Sequence, residues 1–174
     1  LETAHKLDAL VFDKTGTLTL GSLSSSDVEL TDDISKAEAL GYIAALESGS
    51  LHPIAKAFTA HIDKSISVTQ RLSVVGNGLS GVINGQAFKV GSQQFVNGTD
   101  TIESATTVWL SCAGVIQAKV TLNDEVRPDT AKAVAQLKQM GCKLSIASGD
   151  NSTEVTALGK RLGIDDVHKG LSPK

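Results

Sequence analysis

The chain has 174 residues, of which 41% are hydrophobic and 20% charged, with a formal net charge of −3. That is enough material for one or two small domains with cores of their own. The mild acidity leaves no basic footprint for nucleic acid, and no apolar run reaches the roughly 20 residues that a membrane helix needs. No signal peptide opens the chain, so it reads as soluble as given. Cys112 and Cys142 stand far apart without Cys-x-x-Cys spacing. They read as small buried hydrophobes in a reducing compartment rather than as a disulfide framework. The chain begins directly before a strand and stops at Leu171-Ser172-Pro173-Lys174, which reads as an excised piece of a longer protein.

Leu7 to Phe12 is an apolar run of the buried-strand type. It is followed by a small-residue turn, Asp13-Lys14-Thr15-Gly16-Thr17-Leu18-Thr19. Leu20 to Asp33 is rich in Ser and Asp and reads as loop. Ser35 to Glu47 has helical spacing, with Ala39, Leu40, Ile43, Ala44 and Leu46 on one face and Ser35 as N-cap. Pro53 suits the first position of a second helix running to about Ile62. From Ser67 the texture changes to short alternating runs: Val68–Val75, Gly81–Ile83, Ala87–Val90, Thr107–Ser111 and Val115–Leu122. They predict antiparallel strands, with Asn84-Gly85 as a hairpin turn. Beyond Asn123 the pattern is α/β again: a helix from Pro128 to Met140 closed by Gly141, a buried-type strand Lys143–Ala147, and a helix Thr153–Leu162 ended by Gly163. The predicted architecture is an α/β domain interrupted by an α+β insert with an antiparallel sheet. The boundaries fall at residues 1–21 and 122–174 for the α/β part and 22–121 for the insert.

An aspartate at the carboxyl end of a strand in an open α/β sheet stands where such sheets place their chemistry, and a carboxylate there can form an aspartyl-phosphate. Two residues on stands Thr15, which cannot shuttle a proton near neutral pH. Ser148-Gly149-Asp150 closes the strand Lys143–Ala147. A hydroxyl and backbone N–H groups at a strand-to-helix junction suit a phosphoryl group. Gly76-Asn77-Gly78-Leu79-Ser80-Gly81 formally matches Gly-x-Gly-x-x-Gly. A strand, an Asn-Gly turn and another strand follow it, where the dinucleotide fingerprint needs a helix. His5, His61 and His168 stand isolated and read as surface residues, while Trp109 and Phe88 read as core. Aromatic residues are 3% of the chain, so a nucleotide pocket here would rest on aliphatic and glycine surfaces.

The string Asp13–Thr19 resembles the phosphorylation motif of P-type ATPases, and Ser148-Gly149-Asp150 resembles their Thr-Gly-Asp with a conservative serine. Haloacid dehalogenase phosphatases usually carry a second Asp where this chain has Thr15. The resemblance implies a haloacid dehalogenase-like, Rossmann-like phosphorylation domain, here partial. In it Asp13 would be the nucleophile, with Lys14, Thr15 and Gly149 around it, Ser148 holding the transferred phosphoryl group and Asp150 stabilising the site. It implies a Mg²⁺ site using Asp13, the Thr15 carbonyl and a later Asp that this chain lacks. The segment Asn123-Asp124-Glu125-Val126-Arg127-Pro128-Asp129 resembles the family's re-entry into the phosphorylation domain, with Asp124 near the hinge.

His52-Pro53, with Glu47 five residues earlier, resembles the pair in the nucleotide-binding domain of the heavy-metal-transporting subgroup. The subgroup usually reads Ser-Glu-His-Pro, and Leu51 replaces that Glu, so the acidic role falls to Glu47. The resemblance implies that Glu47 and His52 contact adenine, and that Gly76, Gly78 and Gly91 let backbone approach ATP. It further implies a cytoplasmic domain of an integral membrane protein, in bacteria of the inner membrane. Its missing helices would bind the transported cation, with copper export favoured. The family's catalytic lysine and its Gly-Asp-Gly-x-Asn-Asp string are absent, and Lys174 is not assigned to that role. Two other readings stand beside this one: a haloacid dehalogenase-type phosphatase with a cap insert, and a nucleotide-binding module without catalysis.

Overall fold

The computed structural model describes residues 8–99, 106–149 and 153–170. The chain divides into two compact units, Leu1–Ser22 with Asp124–Lys174, and Leu23–Asn123. Two long strands, β2 (Thr19–Leu30) and β7 (Val115–Val126), carry the chain from one unit to the other. No helix of the described residues is long and apolar enough to cross a membrane.

The first unit holds a parallel sheet of β1 (Ala9–Asp13), β8 (Lys143–Ala147) and β9 (Asp166–His168) in the order β1-β8-β9. Asp13 is paired with Ala147, so the two strands reach their carboxyl ends together. The helices α4 (Thr130–Gln139) and α5 (Thr153–Leu162) supply Val134, Val155 and Leu158 to a core shared with Leu18, Leu144 and Ile146. The first strand is not fully buried: Leu10 and Phe12 pack against that core, while Val11 on the other face is 61% exposed. A period of two forces this division on any strand with one covered face. The helix expected from Pro128 begins at Thr130; Asp129 stands at its N-cap but makes no side-chain capping bond.

The second unit is a six-stranded antiparallel sheet packed on a helix. The strand order is β2-β7-β6-β5-β4-β3, where β3 is Thr69–Val74, β4 Gly78–Ile83, β5 Gln86–Gly91 and β6 Thr106–Cys112. α1 (Lys36–Glu47) carries a reciprocal capping box in which Ser35 accepts from the Glu38 N–H and Glu38 accepts from the Ser35 N–H. All five apolar positions expected on its inner face are buried, with Phe58, Ile83, Val90, Val108, Leu110, Val120 and Leu122 opposite them. Asn84 and Gly85 both take positive φ, 51° and 77°, as the tight hairpin turn between β4 and β5 requires.

Three expectations are corrected here. The segment expected as loop from Leu20 to Asp33 is mostly the edge strand β2, which lies beside β7 and seats Leu23 and Val28 on the core. Its serines and acids suit an edge that must not recruit further strands, and strand pairing of this kind is not encoded locally. The helix expected from Pro53 to Ile62 is shorter: α2 is Pro53–Ala57, and after Phe58 a single 3₁₀ turn covers Thr59–His61. The break at Phe58 (φ −104°, ψ 0°) accompanies full burial of that ring. Trp109 does not belong to the core as Phe88 does. It is half-buried, between the buried Val108 and Leu110 of β6, and Lys119 Nζ sits 5.2 Å from its ring centroid. A short helix without a sequence expectation, α3 (Gln93–Asn97), is capped by Ser92, whose hydroxyl accepts from the Phe95 N–H, and by Gly98 at φ 77°. Cys142 is buried and Cys112 half-buried, and neither is in a disulfide.

Candidate functional site

Two clusters of the residues singled out by sequence lie in separate units. In the first unit Asp13 ends β1 with an exposed side chain, and Ser148 follows the adjacent Ala147, 4% exposed, its N–H donating to the His168 carbonyl at 3.0 Å. Asp13 and Ser148-Gly149 therefore leave neighbouring parallel strands at the same end of the sheet, which is where open α/β sheets hold ligands. Lys14 is buried, and Thr15 is exposed with extended backbone before Gly16 at φ 79°. Asp150 lies outside the described residues. No group of three or more His, Cys, Asp or Glu side chains is gathered for a metal among the described residues. The hard oxygens of Asp13 and of the Thr15 carbonyl still suit Mg²⁺, which usually keeps several waters and substrate phosphate oxygens as its remaining ligands. His168 is not isolated: its Nε2 lies 3.1 Å from Asp166, whose other carboxylate oxygen accepts from the Ser145 hydroxyl. The carboxylate stands between serine and histidine, so this chain of groups cannot activate the serine as a triad would.

In the second unit one cavity of about 240 Å³ is lined by Glu47, His52, Gly76, Gly78 and Gly91 together. Its apolar lining comes from Ile54, Val74, Leu79 and Val108. Around these stand Ser50, Ser73, Asn77, Ser92 and Thr107, and among the described residues no Lys, Arg, Phe, Tyr or Trp side chain lines it. A concave, mostly apolar space with a few directed polar groups is the usual form of a small-molecule site.

Glu47 is the last residue of α1 and is 7% exposed. A buried acid at a helix C-terminus meets both desolvation and the unfavourable end of the helix dipole. Burial pushes its carboxyl above the usual range, opposed by the nearby His52 and by a hydrogen bond from Ser50. Ser50 links the pair, since its hydroxyl also accepts from the His52 N–H at 3.2 Å. The His52 ring is itself the N-cap of α2: Nδ1 accepts from the Ile54 N–H at 3.3 Å, which leaves Nε2 as the nitrogen for a ligand. Arg71 donates to the carbonyls of Ser48 (2.9 Å) and Ala45 (2.8 Å), supplying the cation that the last turn of α1 lacks. Neither Ser50 nor Arg71 was singled out by sequence. A serine in a Ser/Gly turn and an arginine in an exposed strand carry no local signal.

The glycines divide into two kinds. Gly78 and Gly91 are paired across β4 and β5, at φ 155° and 151°. A Cβ on Gly78 would stand 2.1 Å from the Val90 carbonyl oxygen, and one on Gly91 would stand 2.2 Å from that of Asn77. Their missing side chains let two strands approach each other, and both residues also line the cavity. Gly76 (φ 77°) is different: a Cβ there would meet nothing within 4 Å.

Residues 7–173 match the model of the haloacid dehalogenase-like hydrolases. The chain is 34% identical over its full length to a copper-transporting ATPase of Helicobacter felis, covering 25% of that protein. It is 33% identical over its full length to cation-transporting P-type ATPase B of Mycobacterium bovis, covering 26% of it. Among solved structures, a zinc-transporting PIB-type ATPase in the E2·Pi state superposes with a TM-score of 0.84 at 26% identity, over 98% of this chain and 30% of that one. The chain spans about a quarter of the length of the curated relatives it matches. It belongs to the haloacid dehalogenase-like hydrolase family, and its relatives there are the heavy-metal-transporting P-type ATPases.

Proposed function

We propose that this chain is the ATP-binding and phosphorylation region of a heavy-metal-exporting P-type ATPase, with Cu⁺ as the cargo. One observation carries the reading: five residues chosen from sequence, spread from Glu47 to Gly91, line a single cavity. The adenosine portion of ATP would occupy it, with Glu47 accepting a hydrogen bond from the base and His52 Nε2 beside it. Gly76 would bring open backbone to the ligand.

The chemistry would take place at Asp13. Its carboxylate oxygen attacks the γ-phosphorus of ATP, the bond to the β-phosphate oxygen breaks, and ADP leaves with that electron pair. The product is an acyl phosphate, later hydrolysed by water. Catalysis of such a transfer is mostly positioning and charge stabilisation. Mg²⁺, held by Asp13 and the Thr15 carbonyl, would neutralise phosphate charge. Ser148 would donate its hydroxyl to the transferred phosphoryl group, with Gly149 and Asp150 beside it and Lys14 in the adjoining turn. Thr15, in the place of a general acid–base, leaves the acyl phosphate intact long enough to drive other steps. The transported cation would be bound by membrane helices outside this chain, which would place it on the cytoplasmic side.

Calorimetric titration of ATP into the chain and into His52→Ala tests the reading. The expected result is micromolar-to-millimolar binding that weakens at least several-fold in the variant. Absence of binding, or binding indifferent to His52, would move weight to a phosphatase of the same family.

A further inference from the structure

The turn that follows Asp13 is gripped by side chains from more than 100 residues away. Thr19, 1% exposed, accepts from the Gly16 N–H at 3.3 Å. Its hydroxyl lies 2.8 Å from Asp124 Oδ2 and 3.1 Å from the Lys14 carbonyl. Arg127 donates from its guanidinium to the Gly16 carbonyl at 2.9 Å and from its N–H to the Leu18 carbonyl at 3.1 Å. The buried Thr130 hydroxyl donates to the same Leu18 carbonyl at 3.0 Å. The Gly16 and Leu18 carbonyls are thus engaged from outside the turn, and the Lys14 carbonyl by Thr19, which Asp124 holds.

Among the described residues Asp124 Oδ1 is buried and makes no hydrogen bond, so Thr19 is the side chain to which this carboxylate is tied. What the carboxylate holds is Thr19, and through it the backbone on both sides of Thr15. Gly16 sits at a left-handed φ of 79°, so the turn has no regular helix to fix it.

We propose that Asp124, Arg127 and Thr130 are positioning residues for the nucleophile. By fixing the Lys14, Gly16 and Leu18 carbonyls they present the Asp13 carboxylate and the Thr15 carbonyl in one geometry for in-line attack. The proposal rests on the aspartyl-phosphate reading of Asp13. Misplacement of a reacting group by about 1 Å costs on the order of 100-fold in rate, while a nucleotide bound in the other unit would not sense it.

The test measures the rate of acyl-phosphate formation from γ-labelled ATP at saturating nucleotide, in the complete transporter that carries this chain. ATP affinity is measured in parallel. Arg127→Ala and Thr19→Val are expected to slow phosphorylation roughly 10–100-fold with ATP affinity unchanged. Thr19→Ser, which keeps the hydroxyl, and Asp124→Asn, which still accepts from it, are expected to stay within a few-fold of the unaltered protein. Unchanged rates in Arg127→Ala and Thr19→Val would overturn the proposal. So would a loss shared equally by Thr19→Ser, or one that runs parallel with lost ATP affinity and lost folding. Asp13→Asn separates this from the underlying reading. If the unaltered protein is labelled and Asp13→Asn is not, only the clamp is at stake. If neither is labelled, the assignment of Asp13 falls and the clamp falls with it.

Discussion

Glu47 is a carboxylic acid buried at the C-terminus of a helix. Burial raises its carboxyl above the usual range, so the folded protein binds its proton more tightly than the unfolded chain does. The linkage follows: between the ordinary carboxylate range and the raised folded value, the native state holds the extra proton, and stability falls as pH rises through that window. Above the ordinary carboxylate range, neutral pH included, the acid is a net burden on the fold. Glu47→Gln is therefore expected to raise the melting temperature at pH 7 and to lose that advantage as the pH is lowered through the window, while weakening ATP binding. Thermal melts at several pH values, paired with titrations, check both halves. The two kinds of glycine make a second contrast. Gly78→Ala forces a Cβ to 2.1 Å from a backbone oxygen and should cost about 3 kcal/mol or more. Gly76→Ala meets no atom and should cost only the left-handed backbone penalty of about 1–2 kcal/mol. Urea unfolding of the two variants separates them. A Gly78→Ala protein as stable as the parent would refute the close strand approach.

At the level of elements, what was legible in the sequence is what is decided locally. α1 was readable because Ser35 caps it and its apolar spacing faces one way. The Asn84-Gly85 turn was readable because few residues take two successive positive φ values. β8 and α5 have the bounds expected of them. β2 was not readable, because its serines gain strand geometry only from β7 alongside. α3 was missed although Ser92 and Gly98 bracket it, since five residues are too few to show helical periodicity. The candidate cavity has the same division. Glu47, His52 and the glycines were found as motif residues, whereas Ser50 and Arg71 act through carbonyls and a carboxyl that only the folded chain brings to them. Removing the α1 cap by Ser35→Ala should lower stability by about 1 kcal/mol, read in the unfolding of the unit that contains it.

At the level of the whole molecule, each unit has its own core, one built around Phe58, Val90 and Leu110 and the other around Leu18 and Ile146. Two melting transitions are expected, and adenine nucleotide should raise only that of Leu23–Asn123. The gain is RT ln(1 + [L]/Kd), about 2.7 kcal/mol at a hundred-fold excess over Kd. A single transition, or one in which nucleotide shifts both units equally, would count against independent cores. The composition of the cavity wall has a metabolic consequence as well. With adenine nucleotide in it as proposed, a recess that has no lysine or arginine among the described residues has little means of counting phosphates, and it would weigh the part of the ligand that hydrolysis leaves untouched. Spent and unspent nucleotide would then compete on nearly equal terms, and occupancy by fuel would follow the cell's ratio of ATP to ADP rather than the amount of ATP alone.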